Sequence, residues 1–215
     1  MIVEQIMRKD FFTIGPKDKL RDALKIINQH KVRHLIVTNN LNHVVGIVSD
    51  RDIRDAAPSI LEDKQNEKVL DYEIEMIMSR PVMTVHPLDF IEDIASIFYD
   101  HEIGCVPVTN GNELIGVVTE KDLLYTLIQI TGIREQSSQI EIKVPNKIGI
   151  LPDITKVVSD RNTNISSVFI YPSKENPLEK IIVLRIQTMN PMPIINDLKE
   201  KGYNVLWPNI PGLLR

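Results

Sequence analysis

The apolar residues of the first part of the chain predict a small α/β module. Apolar residues at the helical spacing i, i+3, i+4 and i+7 begin at Leu20, and two β-rich apolar runs follow, Leu35 to Thr38 and Val44 to Val48. A short extended segment around Thr13 precedes this helix, and a second helix is predicted to start at Ser49. The predicted order of elements is therefore β-α-β-β-α.

The same pattern recurs further along the chain, which indicates an internal repeat. Ile6-Met7 falls on Ile77-Met78 at an offset of 71 residues, and Gly46 to Ile53 falls on Gly116 to Leu123 at an offset of 70. One residue is lost in the turn between the two β-rich runs, where Asn39-Asn40 or Asn110-Gly111 tolerates a positive φ. The second copy comprises an extended segment at Thr84, a helix from Ile91, β-rich runs Val106 to Thr109 and Leu114 to Val118, and a helix from Thr119.

A different pattern begins after Gly132 and a polar stretch, Glu135 to Ser138. Apolar residues alternate from Ile140 to Val144, and a helix is predicted over Ile150 to Arg161. Two strands, a helix with proline in its first turn and a last strand follow, and Gly202 suits the position after the helix. These last elements are Ser166 to Tyr171, Lys180 to Gln187, Pro191 to Lys201 and Tyr203 to Trp207. The order β-α-β-β-α-β is that of a ferredoxin-like unit, so the whole chain belongs to the α+β class.

Composition and charge exclude several classes of protein. The hydrophobic fraction of 43% and the charged fraction of 25% are ordinary for a globular protein. A net charge of -4 argues against a nucleic-acid-binding surface, which is normally basic. The single cysteine, Cys105, excludes an internal disulfide, and the chain shows no signal-peptide pattern and no apolar run long enough for a membrane span. We therefore expect a cytoplasmic protein without nucleic-acid or membrane partners.

The residues with the clearest chemical potential are Ser49-x-x-Asp52 and Thr119-x-x-Asp122, each after a strand that opens with glycine. One interpretation is a capping box, in which the hydroxyl and the acid satisfy each other's backbone amides. The other adds a ligand: free helix N–H groups favour a phosphate, the carboxylate accepts from sugar hydroxyls, and the glycine lets the ligand approach the backbone. Both interpretations remain open at this stage.

No catalytic or metal site is predicted. His30 and His101 fall at equivalent helix ends, where a cation is favoured without any catalysis. The other histidines lack metal-ligand spacing, and Cys105 lies in an apolar run that suits a small buried side chain. No nucleophile-base arrangement or P-loop can be named.

The pattern Gly-hydrophobic-hydrophobic-(Ser/Thr)-x-x-Asp, present in both copies, resembles that of CBS domains, and the tandem resembles a CBS pair. The resemblance implies binding of AMP, ADP, ATP or S-adenosylmethionine as a regulatory ligand, with no required cofactor. It implies that Asp52 and Asp122 hold ribose and that Ser49 and Thr119 face phosphate. The residues it places near adenine are Ile14, Val85, Ile36-Val37 and Pro107-Val108. The first copy departs from the family by having Ile36 where the second keeps the usual proline, Pro107.

The two copies differ in charge near the expected sites. The first has Arg33 and His34 before its second strand and Arg51 at its second helix, with Arg54 one turn on. The second has Gly104-Cys105 at the strand and only Lys121 at the helix. Because guanidinium groups suit phosphate, we expect the first copy to attract more phosphate charge, unless these are ordinary solvated arginines.

The third segment resembles an ACT domain, a family that binds amino acids at the loop between its first strand and helix. Here that loop reads Asn146-Lys147-Ile148-Gly149, where the family usually has Asp-x-Pro-Gly. The resemblance implies an effector site formed by Asn146, Ile148, Gly149, Ile150, Leu151 and Asn164. Dimerisation without a ligand is the alternative.

The order CBS-CBS-ACT resembles that of acetoin utilization proteins of spore-forming Gram-positive bacteria. The predicted limits are 1–60 and 74–132 for the CBS repeats, 61–73 for a connector, 133–138 for a linker and 139–209 for the ACT domain. The resemblance implies a role in acetoin and butanediol catabolism and in sporulation on those carbon sources. The leading hypothesis is a non-enzymatic, homodimeric regulator that passes nucleotide status to an unidentified protein partner. The alternative is an assembly module that dimerises and recruits an enzyme without binding nucleotide, and an undetected enzyme is a third interpretation.

Overall fold

The computed structural model describes residues 1–56 and 69–208, which form two compact units. The first unit is Met1–Leu124 and the second begins at Tyr125. Residues 61–68 of the predicted connector, and the predicted end of the ACT domain at 209, lie outside the described residues. None of the helices in the described ranges combines the length and the apolar character that a membrane crossing requires.

The predicted order of elements is present in both repeats, apart from the first strand of the second, and α4 continues beyond Leu124 into the second unit. The first repeat contains β1 (Thr13–Ile14), α1 (Leu20–His30), β2 (His34–Thr38), β3 (Val44–Ser49) and α2 (Asp50–Ala56). The second contains α3 (Ile91–His101), β4 (Cys105–Asn110), β5 (Glu113–Thr119) and α4 (Glu120–Thr131). In the first repeat β1 pairs in parallel with β2, which pairs antiparallel with β3; in the second, β4 and β5 pair antiparallel.

The predicted first strand of the second repeat is reduced to one β-bridge. Val85 pairs in parallel with Val108, as Ile14 pairs with Val37 in the first repeat. The turns differ as well: Gly111 has the expected positive φ, but in the first repeat the positive φ of 59° falls at Asn42 and not at Asn39-Asn40. Asn39 instead orders the turn, since its side-chain oxygen accepts from the amide of His43 at 3.0 Å.

The segments that lead into the two repeats are exchanged between them. Val3, in a short 3-10 helix at Val3–Gln5, is fully buried in the core of the second repeat, and Ile74, in the equivalent 3-10 helix at Ile74–Met76, is fully buried in the core of the first. The amide of Ile74 donates to the carbonyl of Asp18 at 2.9 Å. Each hydrophobic core is therefore completed by the other repeat.

The exchange also explains why Gly46 and Gly116 open the two motifs. Their expected role was to let a ligand approach the backbone, and the structure corrects it. A Cβ on Gly116 would lie 2.9 Å from Met7 Sδ and 3.0 Å from the carbonyl oxygen of Arg8, and one on Gly46 would overlap the Met78 side chain. These methionines and Arg8 belong to the exchanged segments. The glycines make room for chain, not for a ligand.

The second unit has the predicted β-α-β-β-α-β order and the ferredoxin-like topology. Its elements are β6 (Ser138–Pro145), α5 (Ile150–Asp160), β7 (Ile165–Pro172), β8 (Glu179–Ile186), α6 (Met192–Glu200) and β9 (Asn204–Trp207). The strands form an antiparallel sheet in the order β7-β8-β6-β9. Alternate residues of β6 and β8, such as Ile140 and Leu184, share a fully buried core with Ile154 of α5 and Ile195 of α6. Gly202 has the positive φ expected after α6.

The segment predicted as a linker is bonded to the sheet of the second unit. Ser166 on β7 donates its hydroxyl to Glu135 at 2.7 Å, and Ser167 donates to the carbonyl oxygen of Thr131 at 2.9 Å. Arg185 on β8 donates to the hydroxyl of Ser137 at 3.3 Å. The end of α4 and the chain after it are therefore fastened along the strands β7 and β8.

Candidate functional site

Ser49 and Asp52 form a complete capping box at the start of α2. The Ser49 amide and hydroxyl both donate to Asp52 Oδ2 at 2.7 Å, and the Asp52 amide donates back to Ser49 Oγ at 3.2 Å. Every hydrogen bond of the Asp52 carboxylate within the described ranges uses Oδ2. Oδ1 is therefore available to accept from another molecule.

Thr119 and Asp122 repeat this geometry at the start of α4. The Thr119 amide donates to Asp122 Oδ2 at 2.9 Å and its hydroxyl donates to the same oxygen at 2.6 Å. The Asp122 amide donates back to Thr119 Oγ1 at 3.4 Å. The predicted capping boxes are thus formed in both repeats, without excluding a ligand.

Each motif borders a cavity that both repeats build. The Ser49 cavity, of about 880 Å³, is lined by Ser49 and Asp52 of the first repeat and by residues of the segments 79–83 and 101–105 of the second. The Thr119 cavity, of about 600 Å³, is lined by Thr119 of the second repeat and by residues of the segments 8–12 and 30–34 of the first. These segments are equivalent at the offset of 71 residues, so the two cavities are related by the repeat.

This composite construction changes the grouping of the predicted site residues. Arg51 lines the Ser49 cavity and Lys121 the Thr119 cavity, as predicted, but Arg33 and His34 line both. Ile36, predicted for the first site, lines the Thr119 cavity. The expectation that the first copy holds the more cationic site assumed one repeat per site, and that assumption is wrong.

A shared wall separates the two cavities, formed by Arg33, His34, Gly104, Cys105 and Glu120. The His34 ring lies against Gly104, where an added Cβ would be 3.3 Å from His34 Cε1. Burial lowers the pKa of His34 below its usual 6.5, against the opposing effect of Asp50, Asp52 and Glu120. Cys105 is buried, as expected, and burial raises the pKa of its thiol to about 12, so the thiol is protonated at neutral pH.

Other predicted residues lie in the cores or at the edge of a cavity. Ile14, Val85 and Pro107 are buried, and none of them is among the described residues that line the two cavities. Asp122 also stands outside that lining, one hydrogen bond behind Thr119. The structure therefore does not bring these four side chains to a cavity surface.

Several lining residues were not found from the sequence. In the Thr119 cavity they include Arg8, Phe12 and Lys31, and the Phe12 ring stacks on that of His30 with centroids 4.1 Å apart. In the Ser49 cavity they include Met83 and Glu102. The repeat alignment showed that segments 8–12 and 79–83 are equivalent. It did not show that each segment lies beside the motif of the opposite repeat, which follows only from the exchange.

In the second unit the predicted effector residues are divided between the two ends of α5. Gly149, with a φ of 91°, is the N-cap of α5, and Ile148 before it is fully exposed. The Asn146 amide donates to the carbonyl oxygen of Leu178 at 2.8 Å, while Ile150 and Leu151 pack against the core. Asn164 follows the other end of α5 and lines a shallow cavity of about 570 Å³ with Lys156 and Ser159. The structure does not bring Asn164 to the loop.

The part of the chain that the structure describes contains no group of three or more His, Cys, Asp or Glu side chains that converge to hold a metal ion.

Family models match most of the chain. The model of the CBS domain matches residues 3–59 and 73–129, more than half of the chain, and that of the ACT domain matches 138–200. A CBS domain-containing protein of Dictyostelium discoideum is 32% identical over 135 residues, which cover 60% of this chain and 93% of that protein. A homoserine O-acetyltransferase of Methanococcus vannielii is 31% identical over 127 residues, 59% of this chain and 25% of the enzyme. The match thus covers about a quarter of the length of that enzyme.

Solved structures of CBS proteins resemble the chain over about three fifths of its length. A Vibrio cholerae protein assigned to acetoin utilization (AcuB) superimposes with a TM-score of 0.54 at 25% identity, covering 64% of this chain and 98% of that one. CBSX2 in complex with AMP has a TM-score of 0.53 at 25% identity, covering 60% and 98%. A CBS domain pair in complex with 5′-methylthioadenosine and S-adenosyl-L-methionine has a TM-score of 0.51 at 26% identity, covering 59% and 95%. The chain belongs to the CBS domain family and consists of a tandem CBS pair followed by an ACT domain.

Proposed function

We propose that this protein is a non-enzymatic regulator that binds adenosine nucleotides in the cavities of its CBS pair. The observation that carries the proposal is the pair of equivalent cavities, each bordered by the hydroxyl of a capping motif, Ser49 in one and Thr119 in the other. A cavity of about 600 Å³ or 880 Å³ is in the range of small-molecule sites. The AMP complex of one structural neighbour and the S-adenosylmethionine complex of another support an adenosine ligand.

The residues at the Ser49 cavity have complementary roles in this proposal. Asp52 Oδ1 accepts from a ribose hydroxyl, while Oδ2 stays engaged in the capping box. Ser49, Arg51 and Arg33 lie at the 5′ substituent of the adenosine. At the Thr119 cavity, Thr119 and Lys121 take the phosphate role, Asp122 holds the Thr119 hydroxyl in place, and Ile36 and Phe12 supply apolar contact for adenine.

Isothermal titration of the full chain with AMP, ADP, ATP and S-adenosylmethionine tests the proposal. We expect at least one of them to bind, and Asp52→Ala to weaken binding at the Ser49 cavity. Asp55→Ala is the matched control, because Asp55 is an exposed carboxylate of the same helix outside the lining. If none of the four ligands binds at millimolar concentration, the proposal of nucleotide sensing is overturned.

The complete capping boxes favour one alternative function, a module that assembles or recruits an enzyme without nucleotide. In that case Asp52→Ala and Asp122→Ala lower the free energy of unfolding, because the caps are lost, but change no response to nucleotide. Thermal unfolding with and without AMP separates the two functions. A ligand that binds only the folded state raises the midpoint in the wild type if the regulator proposal is right.

We further propose that the regulator acts in the cytoplasm on acetoin and butanediol catabolism and on sporulation with these carbon sources. The likeness to the Vibrio cholerae protein supports the acetoin part of this proposal. Deleting its gene in the source organism should slow growth on acetoin and leave growth on glucose unchanged. Equal growth on both carbon sources would contradict this assignment. Turnover of acetoin by the purified chain alone would show an enzyme instead.

Oligomerisation and signal transfer complete the proposal. We expect the protein to form a homodimer and to bind an unidentified protein partner. We also expect the domains to have the limits derived from the sequence, and a small effector to bind at 146–151 of the ACT domain. Nucleotide binding would change the arrangement of the CBS pair and the ACT domain through the segment 133–138, since a ligand shifts an equilibrium only through different affinities for two states. A light-scattering mass near 24.6 kDa, that of one chain, would exclude the dimer.

A further inference from the structure

The two cavities lie at equivalent places in the repeat but have opposite charge balance. The cationic residues that line the Thr119 cavity are Arg8, Lys31, Arg33 and Lys121, and the acidic ones are Asp10 and Glu120. The cationic residues that line the Ser49 cavity are Arg33, Arg51 and Arg54. The acidic ones there are Asp50, Asp52, Glu102 and Glu120. Among the lining residues that the structure describes, cations therefore outnumber acids in the Thr119 cavity, and acids outnumber cations in the Ser49 cavity.

One ion pair among the lining residues of each cavity leaves this difference unchanged. Arg8 pairs with Asp10 at 2.9 Å in the Thr119 cavity, and Arg54 pairs with Asp50 at 2.8 Å in the Ser49 cavity. Setting these pairs aside leaves three cations facing one carboxylate in the Thr119 cavity. It leaves two cations facing three carboxylates in the Ser49 cavity. Because each ion pair removes one cation and one acid, the charge difference between the two cavities is the same among the groups that a ligand would meet.

One pair of equivalent residues shows how the repeat reversed the charge. Lys31 follows α1 and Glu102 follows α3, and both have the left-handed conformation, with φ of 54° and 52°. Lys31 lines the Thr119 cavity and Glu102 lines the Ser49 cavity. Because the backbones match, the two side chains leave the chain in equivalent directions and present opposite charges to equivalent places.

We infer that the two cavities take adenosine ligands of different charge, an inference that rests on the proposed nucleotide binding. The Thr119 cavity selects a nucleotide with two or three phosphates. The Ser49 cavity selects an adenosyl ligand whose 5′ substituent carries no net negative charge, a neutral thioether or a sulfonium with a net positive charge. The reason is that excess cations stabilise phosphates, whereas excess carboxylates repel phosphates and tolerate a neutral or cationic group.

The test exchanges the charge of the equivalent pair. ADP, 5′-methylthioadenosine and S-adenosylmethionine are titrated into the wild type, Lys31→Glu, Glu102→Lys and the double variant. We expect Lys31→Glu to weaken ADP binding about tenfold. The affinities for 5′-methylthioadenosine and S-adenosylmethionine should stay unchanged in this variant. Glu102→Lys should weaken the binding of S-adenosylmethionine and allow ADP to bind at the Ser49 cavity as a second site. Each variant places at one position the residue type already present at the other, so the backbone tolerates both.

Lys25→Glu is the matched control, since Lys25 is an exposed residue of α1 that undergoes the same charge change outside the lining of both cavities. ADP affinity should also fall as salt is raised, while 5′-methylthioadenosine affinity should not. The inference is overturned if Lys31→Glu affects ADP no more than Lys25→Glu, or if one variant weakens both ligand classes alike; nucleotide binding then still stands. Absence of binding by the wild type to every ligand would overturn the proposed function and this inference together.

Discussion

The amide of Val3 donates a 2.9 Å hydrogen bond to the carbonyl oxygen of Asp89, which ties the start of the chain to the second CBS repeat. The equivalent bond, from Ile74 to Asp18, ties the second leading segment to the first repeat. Both donors are fully buried in the core of the opposite repeat. The CBS pair is therefore one interlocked unit, and damage to one leading segment should appear in the other repeat.

Ile74→Ala should destabilise the core of the first repeat, although Ile74 precedes the second in sequence. Loss of a fully buried isoleucine side chain costs about 2–5 kcal/mol of unfolding free energy. Hydrogen exchange should show the earliest loss of protection at Val37 and Val48, which share its cluster. Val3→Ala should give the converse pattern, at Val106 and Val118. Loss confined to the second repeat in the Ile74 variant would contradict the exchange.

Gly116→Ala should lower the free energy of unfolding by about 1–3 kcal/mol, the usual cost of overpacking. The new Cβ would lie 2.9 Å from Met7 Sδ and 3.0 Å from the backbone oxygen of Arg8. At Gly46 the three nearest atoms all belong to the Met78 side chain.

Double-mutant cycles distinguish these two crowded positions. Adding Met78→Ala should recover most of the cost of Gly46→Ala, whereas Met7→Ala should recover little of the cost of Gly116→Ala, because the Arg8 backbone stays in place. Urea denaturation provides the coupling energies. Equal recovery in both cycles would show that the backbone contact at Gly116 is unimportant.

Thr119→Ala should lower the free energy of unfolding by about 1 kcal/mol, since the variant loses the hydroxyl of the capping box. Thr119→Ser keeps the hydroxyl and is the matched control, which should lose less. Both are measured without nucleotide, so the effect reports the cap alone. An unchanged stability in the alanine variant would mean that water replaces the hydroxyl at no cost.

His34 should make the folded protein less stable as the pH falls below its usual pKa of 6.5. Burial lowers the pKa of His34 in the folded state, so the unfolded chain binds a proton at higher pH than the folded one. The contribution to stability is complete above pH 6.5 and is lost progressively as the pH falls through the pKa of the folded state.

Denaturation of the wild type and of His34→Gln at pH 7.5 and about 5.5 measures this contribution. The wild type should lose more stability than the variant between these values. An NMR titration of the imidazole provides an independent check, and a pKa at or above 6.5 in the folded protein would contradict the prediction.

The elements of both units were predictable from the sequence because each depends on local spacing. The helical spacing from Leu20 corresponds to α1, and the alternation from Ile140 to Val144 corresponds to β6. The Ser49-x-x-Asp52 motif predicted its own capping box, since the residues that form it are three positions apart. The positive φ at Asn42 was missed, because several residues of that turn tolerate the conformation and the hydrogen bonds of Asn39 select one.

By itself the sequence determined the repeat, the α+β class, the order of elements and the two capping motifs, all of which are set by neighbours along the chain. Only the tertiary structure decided that the leading segments cross over and that Arg33 and His34 stand between two cavities. It also placed Lys31 and Glu102 beside motifs of the opposite repeat. The physical reason is that a periodic pattern records which face of an element is buried, but not which of two equivalent cores buries it. That choice depends on the close fit of Met78 at Gly46 and of Met7 at Gly116.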